Sequence, residues 1–260
     1  MRTNTAVILA AGRGSRLDPD FHEGTAGAGG NIEYSKPLLR LGDQTLLQRT
    51  VGCCRRAGID NIVVVTGFRA DGVEADIKRY NDDGAICTVY NSDWKLKNGV
   101  SVLASRERVT GDFALMMADH LFDHTILTDL SALELKPGTA VLAIDRKIDE
   151  VFDLDDATKV QLEGPVGPMR QSPGPRIGAI GKQLTQYNAI DCGLFVCTPE
   201  VFAALEQARV DGDCSLSDGM ATLARSGGFL AFDIGPRRWQ DVDTPEMFEQ
   251  ALRLLEDIAP

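Results

Sequence analysis

The sequence predicts an α/β protein with a mostly parallel sheet flanked by helices. Short apolar runs rich in β-branched residues, such as Asn61-Ile-Val-Val-Val-Thr66, alternate with segments whose apolar residues recur at one-face helical spacing. That alternation implies a parallel sheet with right-handed crossovers. With 260 residues and 43% apolar content, the chain can bury one substantial core. We therefore expect a single domain over 1–260 with a smaller appended lobe.

The first strand, Thr5-Ala-Val-Ile-Leu-Ala10, breaks into Ala11-Gly-Arg-Gly-Ser-Arg16, and the chain later reaches Ser35-Lys-Pro37. Gly12 and Gly14 can take backbone angles closed to other residues, so successive N–H groups can turn around an anion. Arg13, Arg16 and Lys36 add positive charge, and a strand feeding such a turn suits a ligand beyond the strand's carboxyl end. The stretch reads as a triphosphate cradle. It lacks the spacing of a Walker loop, and the dinucleotide fingerprint would need glycine where Leu17 stands. A plain strand and turn with surface arginines is the other reading. Residues 18–34, rich in glycine, form either a lid that closes over phosphates or a tolerated surface insertion.

Leu46, Leu47, Val51 and Cys54 share one face of a helix predicted over 44–57, which Gly58 stops. A buried strand follows over 61–67, then a helix over 70–81 and a strand over 85–91. The segment Asn91-Ser-Asp-Trp-Lys-Leu-Lys-Asn-Gly-Val-Ser101 leads to a helix expected to begin near Ser101. On residue types alone, Asn98-Gly99 is a turn and Ser101 a helix cap. Residues 112–119 form another buried strand. Its closing Asp119 either caps the next helix or, with the cradle upstream, holds Mg²⁺, a hard ion that accepts one or two carboxylates plus substrate phosphates. His120 and His124 do not make a zinc pair, since zinc would need further nitrogen or sulfur ligands.

A strand over 138–146 precedes a change of pattern. Residues 164–175, rich in proline and glycine, read as a loop or hairpin tip. Together with the pieces 177–182 and 187–195, they suggest a lobe laid over the sheet edge. Lysines on such strands most often mark solvated edges. Helices over 199–207 and 216–225 and a strand over 229–234 complete the alternation. Thr244-Pro-Glu246 starts a final helix, with proline in the first turn and an acid where the helix dipole favours it, leaving Asp241 and Asp243 without a capping role.

A formal charge of −11 argues against nucleic acid or an anionic membrane as partner, because these are held by clustered Lys and Arg. No run approaches the roughly 20 apolar residues of a membrane span, and the opening residues show no signal-peptide pattern, so a cytoplasmic protein is expected. Six cysteines without Cys-x-x-Cys spacing read as reduced core thiols.

The string Leu9-Ala-Ala-Gly-Arg-Gly-Ser-Arg-Leu17, followed by Lys36-Pro-Leu38, resembles the signature of nucleotidyltransferases that activate phosphorylated sugars and alcohols with a nucleoside triphosphate. The resemblance implies a Rossmann-like, nucleotide-diphospho-sugar transferase-like fold with an acceptor-binding β lobe near 145–198. It implies nucleotide contacts from Leu9, Ala10, Ala11, Gly12, Arg13 and Gly14, with Arg13 and Lys36 catalytic. Asn98, Gly99 and Ser101 would meet base or sugar, and Asp243 would join Asp119 in holding Mg²⁺.

The strings Asp156-Ala-Thr-Lys-Val160, Ile180-Gly-Lys182 and Ala189-Ile-Asp-Cys-Gly-Leu-Phe195 are similar to those of CTP:inositol-1-phosphate cytidylyltransferases. By that resemblance Lys159 and Lys182 meet the acceptor's phosphate, and Asp145 or Asp191 accepts hydrogen bonds from ring hydroxyls. The implied reaction joins a nucleotidyl group from CTP to inositol 1-phosphate, releasing pyrophosphate, and a separate enzyme would consume the CDP-inositol. No Ser-His or Cys-His nucleophile pair is evident, in keeping with an acceptor that is already an anion. Phosphocholine, a phosphonate or a sugar 1-phosphate remain alternative acceptors. A non-catalytic nucleotide-binding regulator and a nicotinamide oxidoreductase are readings from other classes, and homo-oligomerisation stays open.

Overall fold

The structure, a computed structural model, describes residues 3–14, 35–164 and 174–258. In chain order its elements begin with β1 (Thr5–Ala10), β2 (Arg40–Leu41), β3 (Gln44–Thr45), α1 (Leu46–Arg56), β4 (Asn61–Thr66), α2 (Ala70–Ile77), β5 (Ile86–Tyr90) and α3 (Asn98–Ala104). There follow β6 (Phe113–Met117), β7 (His120–Phe122), α4 (His124–Ser131), β8 (Ala140–Asp145), β9 (Lys159–Leu162), β10 (Ile177–Gly181) and β11 (Ala189–Cys197). The chain closes with α5 (Glu200–Ala208), α6 (Leu216–Arg225), β12 (Phe229–Asp233), β13 (Trp239–Asp241) and α7 (Pro245–Leu254).

The main sheet runs β10-β9-β11-β6-β1-β4-β5, with β8 paired to β11 and β12 paired to β8. β6, β1, β4 and β5 are mutually parallel, as the alternation predicts. All six residues of β1 are buried because both faces of the sheet are covered. Ala6, Ile8 and Ala10 pack on one side with Leu47 and Val51 of α1 and Leu127 of α4. Val7 and Leu9 pack on the other with Val100 of α3, Phe202 of α5 and Met220 of α6.

Two differences from the expected elements have local causes. Helix α1 starts two residues late because Gln44 and Thr45 pair with β2, after which Thr45 and Gln48 form a reciprocal capping box. Helix α3 starts early, at Asn98, since Lys97 serves as its cap position.

The lobe side is antiparallel. β9, β10 and β11 follow one another without a helical crossover, so each pairs antiparallel with its neighbour. β11 is the hinge between halves: it pairs with β9 and β8 through its first residues and with β6 and β8 through its last, with a register irregularity between Asp191 and Phe195. A separate small ladder joins β7 to β13. Beneath it Leu121, Val242, Phe248 and Ala251 share an apolar cluster with Leu39, Leu41 and Leu46.

Among the described residues, no helix is long and apolar enough to cross a membrane. Phe113 of β6 and Phe202 of α5 are both buried and stack with centroids 5.3 Å apart. Phe202→Ala is expected to lower unfolding stability by about 3–5 kcal/mol in a denaturant titration, the cost typical of deleting a core ring. A loss below about 1 kcal/mol would show that this stack does not anchor α5.

Candidate active site

From β1 the chain moves to β4 on one side, while β6 lies on the other. The crevice beyond the carboxyl ends of β1 and β6 is thus a topological switch point, where ligands of open α/β sheets bind. Leu9, Ala10, Gly12, Gly14, Lys36, Ala118, Asp119 and Asp243 line a cavity there. Gly14 has φ +66°, and a Cβ at that position would lie 2.7 Å from Cβ of Lys36. Glycine here lets Lys36 lie against the turn. Gly12, contrary to the expectation for both glycines, needs no left-handed angle and faces open space. Arg13 is exposed, its guanidinium 5.7 Å from the Phe68 ring centre.

Lys36 is 4% exposed, in a short turn that continues into Pro37. Its ammonium donates to Oδ2 of Asp119 at 2.6 Å and to Oδ1 of Asp243. The β7–β13 ladder causes this meeting, because it sets His120 opposite Asp241, and the N–H of Val242 donates to the carbonyl of Asp119 at 3.0 Å. Burial by itself would lower the Lys36 pKa, but Asp119 and Asp243 outweigh it and hold the ammonium above the ordinary lysine value. Burial would likewise raise Asp119, yet Lys36 and His120 keep that carboxyl well below the usual carboxylate range.

Two carboxylates from separate segments converging on one cationic point form a donor set that suits a hard divalent ion. No cluster of three or more His, Cys, Asp or Glu residues arranged for a metal occurs among the described residues. The remaining ligands would then be phosphate oxygens and water, as Mg²⁺ prefers.

A second cavity adjoins the first at Asp243 and is lined by His120, Lys182, Asp191, Trp239 and Asp241, among others. Lys182 donates to Oδ1 of Asp156 at 2.7 Å across its rim. Oδ1 of Asp191 accepts the Gly193 N–H at 2.7 Å. Burial pushes the Asp191 carboxyl up to about 6, against the opposing pull of the Gly193 N–H and His120.

Other expected contacts are spent inside the fold. Asp145, 4% exposed, accepts from the backbone N–H and ammonium of Lys147 and from Nε1 of Trp239. Lys159 is buried and donates to the Asp155 carbonyl at 2.8 Å. Neither lines the second cavity. Asn98 accepts the Leu216 N–H at 2.8 Å, and Ser101 accepts from Nδ2 of Asn91 at 3.0 Å. Gly99 is required because a Cβ would meet the Cys214 carbonyl at 2.6 Å. These three tie α3 to the start of α6 and to the loop after β5, and Asn98, exposed, also lines the second cavity. Arg16 and the 18–34 stretch expected as a lid lie outside the described residues.

Residues 6–213 match the MobA-like NTP transferase domain. The chain belongs to this family. This MobA-like chain is 33% identical over 255 residues to the bifunctional IPC transferase and DIPP synthase of Rubrobacter xylanophilus, covering 97% of itself and 51% of that protein. Its identity to the protein so named in Aquifex aeolicus is 31% over 252 residues, covering 96% and 51%. The chain thus spans about half the length of the curated relatives it matches. Among solved structures, the inositol-1-phosphate CTP transferase from T. maritima superposes with a TM-score of 0.76 at 26% identity, covering 100% of this chain and 99% of that one.

Sequence reasoning considered His120 of the MobA-like domain only as a zinc ligand and gave Trp239 no role. Both line the second cavity, with ring centroids 6.1 Å apart and planes 16° from parallel. The available signal was the placement of His120 directly after a strand-end acid. For Asp191, the raised folded-state pKa means that its contribution to stability is present below the unfolded value and lost as pH rises through about 6. Asp191→Asn should flatten that part of the stability profile between about pH 4 and 6 in thermal melts. An unchanged profile would show that this carboxyl does not titrate there.

Proposed function

We propose that this chain catalyses magnesium-dependent transfer of a cytidylyl group from CTP to inositol 1-phosphate, giving CDP-inositol and pyrophosphate. The observation that carries this reading is the whole-length likeness to the inositol-1-phosphate CTP transferase. The two adjoining cavities, one beside the glycine turn and one holding Lys182 and Asp191, support it with room for a donor and an acceptor.

A phosphate oxygen of the acceptor attacks the α-phosphorus, a new P–O bond forms, and the bond to pyrophosphate breaks with its electron pair leaving on pyrophosphate. The attacking oxygen is already anionic, so no protein base is needed. Backbone N–H groups at Gly12 to Gly14 and the guanidinium of Arg13 hold the triphosphate. Lys36 supplies positive charge where it grows negative on the leaving group. Lys182 meets the acceptor phosphate, and Asp191 accepts from a ring hydroxyl. Asp119 and Asp243 would hold Mg²⁺, which supplies charge neutralisation between donor and acceptor phosphates.

Incubation with Mg²⁺ and each nucleoside triphosphate against inositol 1-phosphate, glucose 1-phosphate and phosphocholine, read as pyrophosphate release, should give the highest kcat/KM for CTP with inositol 1-phosphate. Preference for another acceptor would overturn the substrate assignment, and no release with any pair would overturn the enzymatic one. Lys36→Ala should cut turnover about 10²- to 10³-fold, the usual cost of losing one preorganised donor, while circular dichroism shows a folded protein. Normal turnover would remove Lys36 from the chemistry. Asp119→Asn should abolish magnesium-dependent release, and a magnesium titration identical to that of the unmodified protein would refute the metal role.

A further inference from the structure

His120 lines the second cavity and touches Asp119 of the first, without a part in the chemistry above. Its Nδ1 is 2.7 Å from Oδ1 of Asp119. An ionised carboxylate only accepts hydrogen bonds, so Nδ1 carries the proton and donates. The other oxygen of that carboxylate, Oδ2, is the one held by the Lys36 ammonium at 2.6 Å. The two oxygens therefore have different tasks, one facing the cation and one facing the histidine.

The ring has little freedom to do otherwise. Trp239 stacks on one face, and the Trp239 indole is itself fixed by donating to Oδ2 of Asp145 at 3.0 Å. Behind the ring stands Gly193, with φ +73°, at the register irregularity of β11. A Cβ on Gly193 would come within 2.5 Å of Nε2, so the strand is notched where the imidazole sits. The register of β7 against β13 fixes the backbone of His120 as well.

We propose that His120 is a positioning residue for Asp119: by donating from Nδ1 to Oδ1, it aims Oδ2 at the divalent-cation position between Asp119 and Asp243. A hydrogen bond behind a liganding carboxylate both orients the ligand and sharpens its affinity, and loss of such a partner typically costs about 10- to 100-fold in metal affinity. The inference rests on the metal assignment made above and not on the identity of the acceptor.

The test crosses ring shape against hydrogen bonding. His120→Phe keeps the ring volume and the stack on Trp239 but removes the donor. His120→Asn gives up the ring yet places an N–H where Nδ1 stood. Mn²⁺ binding is followed by electron paramagnetic resonance with a non-hydrolysable CTP analogue present, alongside melting temperature and steady-state kinetics. His120→Phe should weaken Mn²⁺ binding about 10- to 100-fold with its melting temperature kept, and should lower kcat without raising the acceptor KM. His120→Asn should bind Mn²⁺ nearly as tightly as the unmodified protein. Tight Mn²⁺ binding by His120→Phe, or equal weakening in both variants, would overturn the inference and assign the ring a packing role. Failure of the unmodified protein to bind Mn²⁺ would overturn it together with the metal assignment. Inactivity toward inositol 1-phosphate with Mn²⁺ binding intact would count only against the acceptor.

Discussion

Two carboxylates forced close together need a positive charge between them, and the arrangement around Asp119 and Asp243 follows from that requirement. In the structure the Lys36 ammonium meets it. The ammonium is buried and the carboxylates partly so, and removing the ammonium leaves two close carboxylates uncompensated. A centre of this kind holds a cation in whatever form is available, and an anionic substrate can bring one bound to its phosphates.

The scaffold delivers these charges by two different devices. The parallel half presents strand ends: β1 ends at the glycine turn, and β6 ends two residues before Asp119. The β7–β13 ladder then folds the Asp243 segment back against Asp119, with the Leu121, Val242 and Phe248 cluster holding it from below. That cluster holds the segments carrying Asp119 and Asp243 against a packed support.

The antiparallel half contributes to the second cavity. Strand β11 runs from the lobe into the centre of the sheet, and its irregularity at Gly193 lies on the wall of the second cavity. Asp191 is turned by its bond to the Gly193 N–H, while Gly193 itself leaves space for His120. One local break in pairing thereby shapes a wall of the second cavity and leaves room for the ring bonded to Asp119. Such breaks serve to re-aim side chains.

Much was written locally in the chain. Period and residue type gave the parallel strands and their helices, because a strand buried on both faces must be apolar throughout and a helix between strands must be apolar on one side. The glycine turn and Lys36 stood out as two recognisable strings, Asp119 by its place at the end of a core strand, and Asp243 by family likeness. The antiparallel lobe pairings, the β7–β13 ladder and the place of His120 between Asp119 and Trp239 were not legible, since each depends on which segments become neighbours. Lys159, Asp145 and Ser101 have side chains able to bind a ligand, yet each is buried with a partner inside the fold, because hydrogen-bonding capacity says nothing of the partner. Residue identity determined what each side chain could do, and tertiary packing decided which atom it would do it to, because a hydrogen bond or a shared ion is a matter of a few ångströms between positions far apart along the chain.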